Sequence, residues 1–254
     1  MITARLTSEG VGAPEIVAPS EAMVIRPAEW QGLRPVAGLA HDMRSPLATI
    51  ATSAELFEGQ LSQEESAYLL NVIRRQAFRL QQMVQDLAEY LDVPSGLHLH
   101  PEDVDLCELM AGVCRDFQSL RTTHRLRVEL PAATALARVD GEKVRRVIQN
   151  LLSNAFQYSP NGTSVLAKLE VSYTNGAFAI MRVEDEGPGI PENARREVFQ
   201  PFLRLEGSRG VGHGLGLYIV EELVKAHGGE VWVETASAGG AQFCVSIPLL
   251  PESV

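Results

Sequence analysis

The sequence has 254 residues, enough for two domains of ordinary size, and 45% of them are apolar, which argues against wholesale disorder. Its formal net charge of −10 argues against a protein that grips nucleic acid through clustered Lys and Arg. No apolar run reaches the roughly 18 to 20 residues that a membrane helix needs, and the start lacks a basic segment followed by an apolar one. These features predict a cytoplasmic protein without direct membrane insertion.

Two long helices are predicted after an N-terminal extension. Residues 1–28 contain Gly, Pro and Ser without periodicity, and we expect them to be flexible. The helical pattern runs over 29–92 and fades near Gly59, while Ser62 and Glu65 form a capping-box pattern that starts the second helix. Apolar residues recur in this helix at Leu69, Ile73, Leu80, Val84, Leu87 and Leu91. Because a two-helix hairpin cannot enclose a core, we expect two hairpins to pair into a four-helix bundle, and hence a homodimer.

A linker is predicted at 93–102, where Pro94, Gly96 and Pro101 interrupt the helical pattern. From 103 to 254 the pattern mixes helices and strands. Helices are expected near 105–120, 141–158, 192–198 and 215–227, and strands at 125–130, 164–173, 177–185 and twice near the C-terminus. Such elements pack in two layers as an α/β sandwich. The predicted fold class is therefore α+β: an antiparallel helical hairpin that forms a dimeric bundle, followed by a two-layer α/β sandwich.

Three cysteines, Cys107, Cys114 and Cys244, have no metal-ligand spacing. Cys107 and Cys114 are seven residues apart in a predicted helix and so share a face. We expect all three to be buried as small apolar side chains, with a redox role as the alternative.

The segment HDMRSPL, residues 41–47, is the first with chemical content. Pro46 cannot donate to the carbonyl of Asp42, so we expect the helix to bend or loosen one turn after His41. A neutral imidazole is a nucleophile near pH 7, and a neighbouring carboxylate accepts or orients its ring proton. The segment resembles the H-box of sensor histidine kinases, which implies that His41 is phosphorylated and that Asp42 assists. Ser45 stands where that family has a Thr or Asn associated with phosphatase activity, so that activity stays open.

The segment NLLSNAFQYS, residues 150–159, places the amides of Asn150 and Asn154 on one helix face. An amide oxygen is a neutral, hard ligand that suits Mg²⁺. The segment resembles the N-box in the ATP-binding domain of the same kinases, of the GHKL ATPase type. The resemblance implies that Asn154 binds the metal and that Tyr158 lies beside the nucleotide. Gln157 stands where the family usually has Lys, and losing one charge-assisted contact, worth roughly 1.5–3 kcal/mol, predicts weaker ATP binding or slower autophosphorylation.

The segment EDEGPGI, residues 184–190, ends a predicted strand at Asp185 and turns tightly at Gly187 and Gly189. A buried carboxylate at this point can accept a hydrogen bond. The segment resembles the G1 box, which implies that Asp185 accepts from the adenine amino group.

Two further segments, VFQPFLRL at 198–205 and GVGHGLGL at 210–217, resemble the F-box and the G2 box. The F-box resemblance implies that Phe199 and Phe202 anchor a lid and that Arg204 contacts phosphate. The glycines let backbone approach phosphate at the start of a helix, and the resemblance assigns nucleotide binding to Gly212, Gly214, Leu215 and Gly216. The glycine spacing fits neither the dinucleotide fingerprint nor a P-loop.

These boxes follow the family's order, and the resemblance covers residues 29–254. It implies a kinase that uses ATP and Mg²⁺ to phosphorylate His41 and passes the phosphate to an aspartate of a response-regulator receiver domain. Residues 1–28 are too few for an ordinary sensor domain, so three sources of the signal stay open: these residues, a separate sensor protein as a partner, and a domain outside this sequence. Two alternatives remain: a GHKL ATPase of another branch, such as a serine kinase, and an inactive adaptor that dimerises and binds a regulator. The hairpin with HDMRSPL opposes the first, and Gln157 favours the second.

Overall fold

Two helices form the first part of the structure: α1 (Arg34–Leu56) and α2 (Gln63–Asp92). The computed structural model describes residues 34–57, 61–120, 124–173, 176–205 and 213–251, so the predicted extension at 1–28 lies outside the described residues. The capping box of α2 is confirmed, because Ser62 Oγ accepts from the N–H of Glu65 and the Glu65 carboxylate accepts from the N–H of Ser62. Of the helices within these ranges, none combines the length and apolarity needed to cross a bilayer.

The second part of the structure places three helices against a five-stranded sheet. The helices are α3 (Leu106–Leu120), α4 (Gly141–Tyr158) and α5 (Gly216–Ala226). The strands are β1 (Glu102–Asp105), β2 (Arg125–Glu129), β3 (Leu136–Val139), β4 (Ser164–Ser172), β5 (Phe178–Glu184), β6 (Glu230–Thr235) and β7 (Ala241–Pro248). The larger sheet has the order β2-β4-β5-β7-β6, with β2 and β4 parallel and the other pairs antiparallel. β1 and β3 form a separate antiparallel pair.

The core lies between this sheet and the helices. Strands β4 and β5 alternate buried and half-buried side chains, so one face of the sheet meets the helices. α4 contacts β4 and β5, α5 contacts β6 and β7, and α3 packs on α4. Fully buried anchors such as Leu152, Met181 and Leu223 each stabilise the fold by about 1.5–3 kcal/mol through burial alone. The predicted hairpin and two-layer sandwich, an α+β fold, are confirmed.

The structure differs from the prediction in the form of one helix, adds detail to the linker, and contains two short strands that were missed. The helix expected at 192–198 is two 3₁₀ turns, Glu192–Ala194 and Glu197–Phe199. These turns bury Ala194, Val198 and Phe199 within a few residues, and such a short anchored segment suits 3₁₀ geometry. The linker expected at 93–102 begins with another 3₁₀ turn, and its last residue already belongs to β1. β1 and β3, at four residues each, were not predicted.

The three cysteines are free thiols; two of them are buried, as predicted, and Cys107 is only half-buried. Cys114 and Cys244 are buried, and burial raises the pKa of each thiol to about 11. Cys107 is half-buried, and burial, followed by the nearby Asp105, raises its pKa. Because the thiolate is the reactive form, these shifts favour the buried apolar interpretation over a redox role.

Asp140 connects three parts of the chain at the start of α4. Its Oδ1 accepts from the N–H of Lys143 at 3.1 Å, its Oδ2 accepts from the N–H of His100 at 3.0 Å, and its own N–H donates to Nε2 of His227 at 3.1 Å. Burial raises the pKa of Asp140, but the backbone hydrogen bonds outweigh burial and hold the pKa below the ordinary value of 3.8. The carboxylate therefore stabilises the fold above pH 3.8, and this stabilisation is lost as pH falls through the lowered pKa.

We predict that Asp140→Ala lowers the free energy of unfolding by about 2 kcal/mol, because it removes the N-cap and strands the N–H of His100. Urea unfolding at pH 7 measures this loss. Asp140→Asn is the matched comparison: it keeps an oxygen that caps the N–H of Lys143 but turns its amide nitrogen, a donor, towards the N–H of His100, so it should lose only the His100 contact, about 1 kcal/mol, and less than Asp140→Ala. Equal losses in the two variants would show that the cap is not the cause.

Candidate functional site: a histidine cavity and a glycine-lined cradle

His41 and Asp42 border an open cavity of about 370 Å³ between the two hairpin helices. His41 is exposed and Asp42 is half-buried, both on α1. The other lining residues are Arg44, Ser45, Ala48 and Arg79. α1 stays helical through Pro46, so the proline leaves the helix unbroken at this point. An accessible imidazole beside a carboxylate can act as a nucleophile and pass on its proton.

Arg79 projects from α2 into the same cavity. Burial lowers the pKa of Arg79, the charge of Asp42 raises it, and the charge of Arg204 lowers it further. Arg204, which follows the predicted F-box phenylalanines, thus lies near enough to influence a residue of the histidine cavity. Arg79 was not singled out from the sequence, because its position on the cavity depends on how the two helices face each other.

Asp185 directly follows β5, and its side chain is surrounded by backbone atoms of neighbouring segments. The side chain is only 5% exposed, and its Oδ1 accepts from the N–H of Gly187 at 2.7 Å and of Ala241 at 3.2 Å. Burial raises the pKa of Asp185, and these two hydrogen bonds oppose the rise. Both bonds use Oδ1, so Oδ2 can serve a different donor. A ligand amino group is a suitable donor for this carboxylate.

Glycines bring the backbone close around Asp185. A Cβ at Gly187 would lie 2.8 Å from Asp185 Oδ1 and 3.0 Å from the carbonyl oxygen of Tyr158, so the predicted N-box and G1 residues meet here. A Cβ at Gly240 would lie 1.9 Å from the carbonyl oxygen of Asp185. Gly189 meets the same turn, since its Cβ would lie 3.0 Å from the carbonyl oxygen of Gly239. Gly240 was missed from the sequence, where only the Gly-Gly pair before β7 hinted at a close approach.

The N-box helix also meets the start of α5. Asn150 is buried, and its Nδ2 donates to the carbonyl of Gly216 at 3.2 Å. Asn154 is half-buried one turn later on the same face, and Gln157 is half-buried at the helix end. α5 begins without a side-chain cap, so its first N–H groups can meet an anion. Amide oxygens of the Asn154 kind fit Mg²⁺, which retains waters and phosphate oxygens as its other ligands.

The F-box and the G2 box cross each other. Phe202 has a φ of 64°, rare for a side chain of this size, and its N–H donates to the carbonyl of Gly214 at 2.8 Å. Gly214 has a φ of 75°. The side chain of Leu215 is fully buried, so only its backbone can reach a nucleotide. The predicted Gly212 lies outside the described residues.

Two family models match the chain on these regions. The His Kinase A (phospho-acceptor) domain matches residues 34–95, and the histidine kinase-, DNA gyrase B-, and HSP90-like ATPase matches residues 139–251. The fold and the site therefore define a histidine kinase class, with a phospho-acceptor hairpin joined to an ATPase domain.

Known proteins agree with this class. The sensor histidine kinase TmoS of Ectopseudomonas mendocina is 37% identical over 221 residues, which are 84% of this chain and 22% of that protein. The adaptive-response sensory kinase SasA of Nostoc sp. is 30% identical over 233 residues, 86% of this chain and 57% of that protein. The crystal structure of full-length ShkA in complex with AMPPNP has a TM-score of 0.59 at 25% identity, covering 86% of this chain and 46% of that chain. The chain belongs to the sensor histidine kinases, and it spans less than two thirds of the length of either curated relative.

Proposed function

We propose that this chain transfers the γ-phosphoryl group of ATP to His41, from which an aspartate of a response-regulator receiver domain takes it. One observation carries the proposal: an exposed histidine–carboxylate pair borders an open cavity, and the same chain holds a glycine-lined cradle around a buried aspartate. The family membership of both regions supports it.

In the first step, a ring nitrogen of His41 attacks the γ-phosphorus. The bond from that phosphorus to its bridging oxygen breaks, and ADP leaves with the electron pair. Asp42 accepts or orients the ring proton, which the position of its carboxylate beside His41 supports. In the second step, the phosphorus–nitrogen bond breaks and a carboxylate oxygen of the receiver aspartate takes the phosphoryl group. Ser45 lines the same cavity, and its hydroxyl can hold a water that hydrolyses the phosphorylated aspartate of the regulator.

The cradle residues hold the nucleotide. Asp185 receives the adenine amino group, Tyr158 lies beside the base, and the backbone at Gly214 and Gly216 approaches the phosphates. Asn154 would hold Mg²⁺, which would supply charge neutralisation at the phosphates. Asn150 positions the start of α5 through Gly216. Gln157 and Arg204 complete the phosphate side, with Gln157 giving a neutral contact where a lysine would give a charged one.

We assign residues 29–92 to dimerisation and phosphotransfer, 93–102 to a linker and 103–254 to ATP binding. The hairpin leaves large apolar side chains in solvent, among them Leu47, Val84 and Leu91, each more than half exposed. A second copy of the hairpin covers such side chains in a four-helix bundle, so a homodimer is proposed. The receiver domain docks on the bundle beside His41.

Incubation with γ-labelled ATP and Mg²⁺ tests the proposal. We expect acid-labile label on the wild type, none on His41→Gln, and at least tenfold less on Asn154→Ala. His98→Gln, which changes an exposed histidine outside the cavity, is the matched control and should label like the wild type. Acid-stable label would indicate a serine or threonine kinase. Absence of nucleotide binding would favour the inactive adaptor.

A further inference from the structure

One face of α2 is turned towards the ATPase domain. Met83 and Asp86 are the buried residues of this helix, although one of them carries a charge. Asp86 and Tyr90 are seven and eleven residues after Arg79, spacings that place all three on one side of a helix. The apolar stripe that includes Leu80 and Leu87 runs along a different side. α2 therefore has two contact faces. The apolar stripe serves the proposed bundle, and the side with Asp86 and Tyr90 contacts the ATPase domain.

Asp86 is the centre of a buried polar cluster between the two domains. It is 3% exposed, and its Oδ1 accepts from Nη2 of Arg146 on α4, which is 6% exposed. Its Oδ2 accepts from Nε2 of His213, in the G2 box, at 2.5 Å. Because a carboxylate only accepts, Nε2 of His213 carries a proton in this contact. A single carboxylate thus contacts both α4 and the G2 box.

Further contacts surround this cluster. Arg146 also donates to the carbonyl of Gln82 and to Oε1 of Gln85, each at 3.2 Å. Lys143, one turn earlier on α4, donates to Oε1 of Glu89 at 3.1 Å. The acids Asp86 and Glu89 thus face the bases Arg146 and Lys143, so the charges balance across the interface. Such complementary charges favour this docked arrangement over one that would separate the pairs.

Aromatic side chains extend the contact one turn further along α2. The ring of Tyr90 meets Phe202 of the F-box edge-on at 5.1 Å and Tyr218 of α5 at 5.7 Å. Phe202 leads directly to Arg204, whose charge reaches Arg79 on the histidine cavity. The contact between Tyr90 and Phe202 therefore also brings the guanidinium of Arg204 towards the cavity of His41.

We propose that Asp86 is a positioning residue, which docks the ATPase domain on α2 through Arg146 and His213 so that Phe202 and Arg204 of the F-box lie towards the cavity of His41. This rests on the proposed function. The polar chemistry suits a contact that forms and breaks, because separated charges regain water and repay much of what they lose. The linker then lets the domain leave His41 free for the receiver domain.

The test compares Asp86→Asn with Glu64→Gln, which removes an exposed carboxylate from the same helix. We expect Asp86→Asn to lower kcat for phosphorylation of His41 at least tenfold, to leave the Kd for a non-hydrolysable ATP analogue within threefold, and to enlarge the radius of gyration in X-ray scattering. Glu64→Gln should match the wild type in all three. Arg146→Gln should reproduce the loss, and the double variant should be no worse than either single one, since one contact is lost only once.

A wild-type kcat and radius in Asp86→Asn would overturn the proposal. A Kd that rises in step with the loss of kcat would also overturn it, because Asp86 would then act on nucleotide binding. Equal losses in Glu64→Gln would point to a general charge effect and have the same consequence. If the wild type does not phosphorylate His41, the proposed function fails, and the scattering comparison still decides whether Asp86 docks the domain.

Discussion

Asp185→Asn is expected to weaken ATP binding roughly 100-fold, about 3 kcal/mol, and to leave the domain folded. Oδ1 already accepts from Gly187 and Ala241, so the asparagine keeps its oxygen there and turns its amide nitrogen towards the ligand. That nitrogen is a donor, as is the adenine amino group, and two donors that face each other both lose a partner. Titration calorimetry with a non-hydrolysable ATP analogue measures the loss.

Although Asp185→Asn should bind ATP more weakly, it should not be less stable than the wild type. Burial raises the pKa of Asp185 above its ordinary value of 3.8, so the folded state disfavours the charge. The cost of that charge is fully present above the raised pKa and vanishes below pH 3.8. We therefore expect Asp185→Asn to be as stable as the wild type or more so at pH 7, with the difference closing as the solution is acidified.

Asp185→Ala is the matched comparison. It removes Oδ1, strands the N–H groups of Gly187 and Ala241, and should cost about 1–3 kcal/mol in urea unfolding. Wild-type ATP affinity in Asp185→Asn would refute the adenine role of this residue. If Asp185→Asn lost stability as well as affinity, the carboxylate would serve the fold rather than the adenine.

Much of the fold could be predicted from the sequence, because the apolar residues of its longer helices and strands recur at regular spacings. α4 spans 141–158 as predicted, with Asp140 as an N-cap and an apolar face over five turns. The strands β4 and β5 were predicted to within one residue at either end. β1 and β3 were not, since four residues give too few positions for alternation to appear.

The candidate site was predictable only where its residues lie in one segment. Asp185 and Gly187 are two residues apart, but Gly240 reaches Asp185 only because β5 pairs with β7. Asp86 lies 60 positions from Arg146 and 127 from His213, and no local pattern encodes such a contact. Asp86 lies off the apolar stripe of α2, so in the sequence it looks like an ordinary charge on the solvent side of the helix.

The crossing of the F-box and the G2 box is expected to be intolerant of any side chain at Gly214. A Cβ there would lie 2.7 Å from the carbonyl carbon of Phe202 and 2.9 Å from the carbonyl oxygen of Leu203. Both are backbone atoms, and Phe202 already has a strained φ of 64°. Neither of the two segments can therefore move aside easily. Insertion of a methyl group must therefore separate the two segments.

We predict that Gly214→Ala lowers kcat/KM for phosphorylation of His41 by roughly 100-fold or more. The reason is that displacing the G2 box by about 1 Å misaligns the bound phosphate, and a misplacement of that size can lower the rate by this factor. Gly228→Ala is the matched control: Gly228 has a φ of 72°, against 75° at Gly214, but its Cβ would meet only Pro248 at an ordinary 3.7 Å. Both variants carry the same left-handed strain, about 1–2 kcal/mol, and should unfold at lower urea concentration. Only Gly214→Ala adds the collision, so loss of activity in both would assign the effect to backbone strain, whereas full activity in Gly214→Ala would show that the crossing opens during the reaction.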